Sequence, residues 1–308
     1  MNPDSLRSLL ALTCLICVPV ATAANLVTAP QGGVARWAGM AASECGIYGK
    51  RYAAVDATCY YPVDIRTKAG THEIALWDQD GKQHTGTLTV EVADFPVVEM
   101  ELPESLDRYL EVSPEDSARA AEEREKIVAV LRATDAPARF SLPLASPVDT
   151  LPESADDFGS ERLFNGKHKS LHSGRDYPVG MGNAVKAVAD GKVVLAADHF
   201  FAGRSVYVDH GDGLVSMNFH LDEIAVNEGD EVERGQTLGK IGSSGRATGP
   251  HLHIGVRWLG KRVDPALLFA NPTTLPSVSD SKVEAQRKIE KAEQRDPDED
   301  EVPMDEQG

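Results

Sequence analysis

At 308 residues the chain is long enough for two domains of ordinary size, and an apolar content of 42% allows each a packed core. Its 48 acidic side chains outnumber 31 lysines and arginines, a formal charge of −17. That balance excludes a nucleic-acid partner, because phosphate binding needs a basic surface.

Residues 1–23 read as a secretory signal peptide. Arg7 supplies the positive start, Ser8 to Val18 a short apolar run, and Ala21-Thr-Ala23 a small-residue cleavage site. The run is too short to cross a bilayer comfortably, so the mature chain is expected to keep no stable membrane span. The expected location is beyond the inner membrane, periplasmic or extracellular. Cys14 and Cys17 leave with the signal; Cys45 and Cys59 stay. In an exported protein such a pair most simply forms one disulfide, the alternative being a metal or redox pair with an unsuitable spacing.

The rest of the chain predicts a mainly β fold. Over 24–102, short alternating runs at Tyr52 to Val55, Glu73 to Trp77 and Thr85 to Val92, separated by turn signals, predict a small sandwich-like β domain. Its His72 and His84 stand alone and read as surface or packing residues. Residues 103–137 predict a helical linker, with Ser113 as N-cap, Pro114 in the first turn and Asp116 completing a capping-box-like pattern. Ile127, Val130 and Leu131 make a narrow apolar face, which predicts packing on one side only. Over 138–272, runs at Val185 to Val188, Lys192 to Ala196, Ser205 to Asp209, Leu214 to His220 and His253 to Trp258 alternate between glycine turns. They predict an antiparallel sheet or barrel-like domain with little helix. Residues 273–308 end in an acidic run that predicts a disordered, solvated tail, a partner-binding tail being the sharper alternative.

The chemistry sits in the second domain. Seven of the nine histidines lie between His168 and His253, and four of those fall in three stretches: His172-Ser-Gly-Arg-Asp176, Asn218-Phe-His220-Leu221 and His251-Leu-His253. Gly174 disfavours a helix, and on an extended strand His172 and Asp176 share a face, where an imidazole and a carboxylate suit zinc. Alternation likewise sends His251 and His253 to one face and Leu252 to the core, so that one ring can bind metal while the other stays free for proton transfer. The loop Gly242-Ser-Ser-Gly-Arg-Ala-Thr-Gly-Pro250 is made of small residues that let a substrate backbone come close. No H-E-x-x-H occurs, which removes the glutamate base of helical zinc peptidases.

Taken together, H-x-x-x-D at 172–176, the strand-end His-Leu at 220–221 and H-x-H at 251–253 after Gly249-Pro250 resemble the M23 family of zinc metallopeptidases, the lysostaphin- and LytM-like peptidoglycan endopeptidases. The resemblance covers about residues 160–270. It implies one Zn2+ per chain, held by His172, Asp176 and His253. It also implies that His220 and His251 are catalytic: a neutral His251 would take the proton of the attacking water, and His220 would donate to the developing oxyanion, although which of the two is the base stays open. The implied partner is the peptide stem of peptidoglycan, cut at a D-Ala-to-diaminopimelate bond where the wall has that chemistry. Arg162 and Asn165, just ahead of the first ligand, are expected to line the substrate cleft; His168, His199 and His210 are expected to be non-ligands. The alternative function is a non-catalytic activator of wall amidases, since some members of the family have lost metal ligands and act that way. All five residues are present here, which favours the enzyme and leaves room for a regulatory protein partner.

Overall fold

The computed structural model describes residues 25–132, 136–154, 157–166 and 168–280. The expected signal peptide and residues 281–308 of the acidic tail lie outside the described residues. Residues 273–280, expected to begin the disordered tail, are instead ordered: Val278 N donates to Arg36 O at 2.8 Å, and Ser279–Asp280 pairs with Asn25 and Leu26. No helix among the described residues is long and apolar enough to cross a membrane.

The chain is mainly β. In the first part, a six-stranded sheet runs in the order Ser279–Asp280, Asn25–Pro30, Gln83–Glu91, Gly70–Asp78, Ala42–Ile47, Lys50–Ala53. Against it lies a two-stranded ribbon, Val34–Trp37 paired with Cys59–Pro62, and the disulfide Cys45–Cys59 ties sheet to ribbon with a Cα–Cα separation of 5.5 Å. The ribbon belongs to two cores at once. Ala35, Trp37, Cys59 and Tyr61 face the core of the six-stranded sheet, whereas Val34 and Tyr60 face the core of the second part of the chain. Strand alternation dictates that split, because neighbouring residues point to opposite faces. Tyr60 meets Trp258 with ring centroids 5.5 Å apart, and Arg262 clamps Asp64 with Nη2 and Nε at 2.7 and 3.0 Å.

The second part is built on a nine-stranded sheet. Its main path runs Gly174–Tyr177, Leu252–Trp258, Leu214–Ile224, Gly203–Asp209, Gly191–His199, Glu231–Val232, antiparallel throughout and with open edges. Its core includes Val206, Val208, Leu252, Ile254 and Trp258, all fully buried. Helix Pro114–Arg132 starts as its sequence predicts, with the Ser113 hydroxyl accepting from Asp116 N at 3.1 Å. No residue of this helix is fully buried; Ile127, Val130 and Leu131 rest on Leu195, Tyr207, Val215 and Met217 of the large sheet. A third, small sheet places Val97–Met100 parallel to Glu161–Phe164, which in turn pairs antiparallel with His168–Leu171.

Two groups away from the donor cluster, one buried and one half-buried, set opposing pH dependences. His210 is fully buried; its Nδ1 donates to Asp190 O at 2.8 Å and its Nε2 accepts from Ser216 Oγ at 2.8 Å. Burial pushes this ring down from 6.5 to about 4. As pH falls through that window the unfolded chain gains a proton that the folded chain refuses, so about 3 kcal/mol of stability is lost toward acid. Burial pushes the Asp212 carboxyl up from 3.8 to about 7, so its contribution is lost in the opposite direction, as pH rises. Asp212 has φ 45°, a conformation asparagine tolerates. Asp212→Asn should therefore fold normally and lose more stability than the parent between about pH 7 and about pH 4.5 in urea titrations, because only the histidine slope remains. An unchanged difference would mean that Asp212 ionises alike in both states.

Candidate active site

Asp176 lies on strand Gly174–Tyr177 directly opposite His253 of strand Leu252–Trp258, and Phe219 of strand Leu214–Ile224 lies opposite His253 on its other side. The first of these approaches needs glycine: a Cβ on Gly174 would stand 2.6 Å from both His253 Nε2 and Ile254 O. The glycine of the His-Ser-Gly-Arg-Asp stretch is thus set by the passage of a histidine ring beneath it. The Phe219 and His253 rings stack at 5.0 Å and 3°, which fixes the second ring's plane. Leu252 is fully buried in the core while His251 and His253 turn to the opposite face.

Three donor atoms converge there. His172 Nε2, Asp176 Oδ1 and a nitrogen of His253 lie within 4.8 Å of one another, in contacts of 3.2 Å (His172–Asp176), 2.7 Å (His253–Asp176) and 3.1 Å (His172–His253). His172 Nδ1 faces only acceptors, the carbonyl of Asp157 at 3.0 Å and its carboxylate at 3.1 Å, so in the neutral ring Nδ1 carries the hydrogen and Nε2 presents the lone pair. A lone pair aimed at a carboxylate and a second imidazole calls for a cation between them, and two imidazoles with one carboxylate are a donor set that could hold zinc. Burial opposes charging His172, but its hydrogen bonds to the Asp157 and Asp176 carboxylates outweigh it and hold the ring up to about 9, so the position at Nε2 favours positive charge, whether a proton or a metal ion. Burial likewise opposes ionising Asp176, yet His172 and His253 hold its carboxyl well below the usual carboxylate range.

A second layer orients the first. Arg162 Nη2 sits 2.6 Å from Oδ2 of both Asp157 and Asp176, so one guanidinium fixes the carboxylate that steers His172 and the carboxylate among the donors. Partners of this kind set ligand orientation and typically change metal affinity by about 10–100-fold when removed. Asp157→Asn should weaken zinc binding by that factor without unfolding the chain, as read by competition with a coloured chelator; parental affinity would show that Asp157 does not orient the ligand.

His220 and His251 stand beside the donors, ring centroids 5.1 Å apart. His220 takes φ 59°, uncommon for a residue with a side chain, and its N–H donates to Ala202 O at 2.9 Å. Its Nδ1 donates to Ser244 O and that of His251 to Gly249 O, both at 2.8 Å. A carbonyl only accepts, so both rings carry their hydrogen on Nδ1 and present a bare Nε2 while neutral. Burial pushes His220 down to about 3, so it is neutral at ordinary pH.

These residues lie in a cleft of about 570 Å³. Arg162 lines it, its guanidinium committed to the two carboxylates described above. Asn165 is directed elsewhere: it stands outside the cleft lining, and its side-chain oxygen accepts from Leu102 N at 2.7 Å, holding the segment that follows Val97–Met100. His199 and His210 are buried away from the donor set, against Ser205 and Ser216. Asp157, Arg246, Phe164 and Phe201 emerge only from the fold. Of these, Arg246 left a signal in the sequence as the single long side chain in an otherwise small-residue loop.

A family model described as peptidase family M23 matches residues 170–265. The peptidoglycan DD-endopeptidase ShyA of Vibrio cholerae is 36% identical over 119 residues, 38% of this chain and 28% of that protein. The DD-carboxypeptidase/endopeptidase Mpg of Neisseria meningitidis is 38% identical over 95 residues, 31% of this chain and 22% of that protein. The matches thus span about a quarter of the length of these curated relatives. A crystal structure assigned to peptidase M23 from Pseudomonas aeruginosa is 31% identical, with a TM-score of 0.60, and covers 78% of this chain and 94% of that one.

Proposed function

Since the chain belongs to peptidase family M23, we propose that it is an exported, zinc-dependent endopeptidase that hydrolyses peptide cross-links of peptidoglycan. One observation carries this reading: His172, Asp176 and His253 converge in a cleft beside two imidazoles whose outer nitrogens are bare. The relatives named as peptidoglycan DD-endopeptidases support the substrate. Export is supported by the Ala21-Thr-Ala23 site and by a disulfide that belongs in an oxidising compartment. The division into a β domain at 24–102, a linker at 103–137 and a peptidase domain at 138–272 is part of the proposal.

One zinc ion, held by His172, Asp176 and His253, would supply Lewis acidity to polarise the scissile carbonyl and make water acidic near neutral pH. The protein's own groups do the rest. Asp157 and Arg162 lock the orientation of His172 and Asp176. The bare Nε2 atoms of His220 and His251 accept the two hydrogens of one attacking water and turn its lone pair toward the carbonyl carbon. One ring then takes a proton and returns it to the leaving amine. This changes the donor role first expected for His220: with its hydrogen committed to Ser244 O, the neutral ring can donate from Nε2 only after protonation.

The test is a digest of purified cross-linked sacculi by the mature chain, with and without a chelator, read by mass spectrometry of the muropeptides. Conversion of cross-linked dimers to monomers, abolished by chelation, is the expected result. Intact dimers in the presence of bound zinc would reject the activity and favour the regulatory reading.

A further inference from the structure

The cleft contains two guanidinium groups, and they differ in what they face. Arg162 is neutralised by Asp157 and Asp176. Arg246 has no carboxylate within ion-pair reach among the described residues; its hydrogen bond is to Ser170 Oγ at 3.1 Å. Its Cζ lies 4.5 Å from the Phe164 ring centroid and 5.1 Å from that of Phe201, and its backbone N–H donates to Phe201 O at 2.9 Å. Two aromatic walls and a fastened backbone therefore hold a cation at the cleft surface. Burial and the neighbouring charge of Arg162 weaken its hold on its proton, pulling it down to about 10. A half-buried guanidinium with donors to spare and no acid is a costly arrangement unless an anion arrives to complete it. In a chain of net charge −17, it is also a local reversal of sign.

Resting on the peptidoglycan reading above, we infer that Arg246 is a specificity-determining residue that binds a free carboxylate on the carbon bearing the leaving nitrogen of the substrate. In a D-Ala-to-diaminopimelate cross-link the carbon attached to that nitrogen carries such a carboxylate. A glycine bridge, or a diaminopimelate amidated at that centre, offers none. A planar fork of N–H donors matches a carboxylate with two parallel bonds, which a carboxamide cannot reproduce.

The test is a binding measurement that does not depend on turnover. The zinc-loaded mature chain is titrated by NMR with the leaving fragment, the tripeptide L-Ala-γ-D-Glu-meso-diaminopimelate, and with the same tripeptide amidated at the D-centre carboxyl. The free acid should bind about 10–100-fold more tightly, the range of a charge-assisted hydrogen-bonded pair. In Arg246→Gln the two should differ less than about twofold, and Arg246→Lys should keep an intermediate preference because the charge stays and the fork is lost. Equal binding of the two tripeptides to the parent chain would overturn the inference without any variant. So would an undiminished preference in Arg246→Gln. The sacculus digest answers for the activity separately, so cleavage without acid-over-amide discrimination would reject Arg246 alone.

Discussion

Asp176→Ala is expected to abolish stoichiometric zinc binding and to lower cross-link hydrolysis by at least ~10³-fold, about 4 kcal/mol, the scale on which removing one partner from a buried charged set acts. The size follows from the number of groups that meet on this carboxylate. Its Oδ1 lies 2.7 Å from His253 Nδ1 and 3.2 Å from His172 Nε2, while its Oδ2 is 2.6 Å from Arg162. Truncation deletes one of three donors and also leaves the Arg162 guanidinium beside two imidazoles, where it repels the metal. Asp176→Asn, which keeps shape and loses charge, should fall between parent and alanine in affinity. Metal content after dialysis, with denaturant unfolding as a check on the fold, decides the matter: one tightly held zinc per chain in Asp176→Ala would remove Asp176 from the donor set.

The pairs His172/Asp176 and His251/His253 were legible in the sequence from local spacing, whereas His220, alone at a strand end, was picked out only by the family resemblance. H-x-H on a strand puts two rings on one face, and a glycine within H-x-x-x-D keeps that stretch extended. The mainly β class was legible for the same reason, from alternation and glycine turns. What stayed hidden depends on contacts far apart in the chain. Asp157 reaches His172 only because the segment before Glu161–Phe164 folds back, with His172 N–H donating to Ser160 O at 2.9 Å. The ribbon Val34–Trp37 with Cys59–Pro62 is buried on both faces, so alternation there marks two cores and cannot show which residue serves which. Asn165 shows the converse error. Proximity in sequence to the first ligand suggested the cleft, but a left-handed turn at φ 48° directs the residue to Leu102 instead.

Removing both flanking histidines should cost little more than removing the worse one. His220→Ala and His251→Ala are each expected to lower turnover ~10²–10⁴-fold with zinc retained, the usual range for a positioned acid–base group. The double variant tests how they work. Both rings present bare Nε2 atoms, because Ser244 O and Gly249 O hold their Nδ1 hydrogens, and their centroids are 5.1 Å apart, close enough for one water to reach both. Two acceptors acting on one water form a unit. Once either is gone the water is misdirected and the other has nothing oriented to act on, so the losses do not multiply. Burial pushes His220 down to about 3, which makes it the poorer keeper of the transferred proton, so the loss of His251 should be the larger of the two. Were one ring a base and the other an independent donor to the oxyanion, the two losses would instead multiply to ~10⁴–10⁸. Single-turnover rates of the parent, the two single variants and the double variant on one soluble cross-linked muropeptide separate the cases, and multiplicative losses would reject the shared-water arrangement.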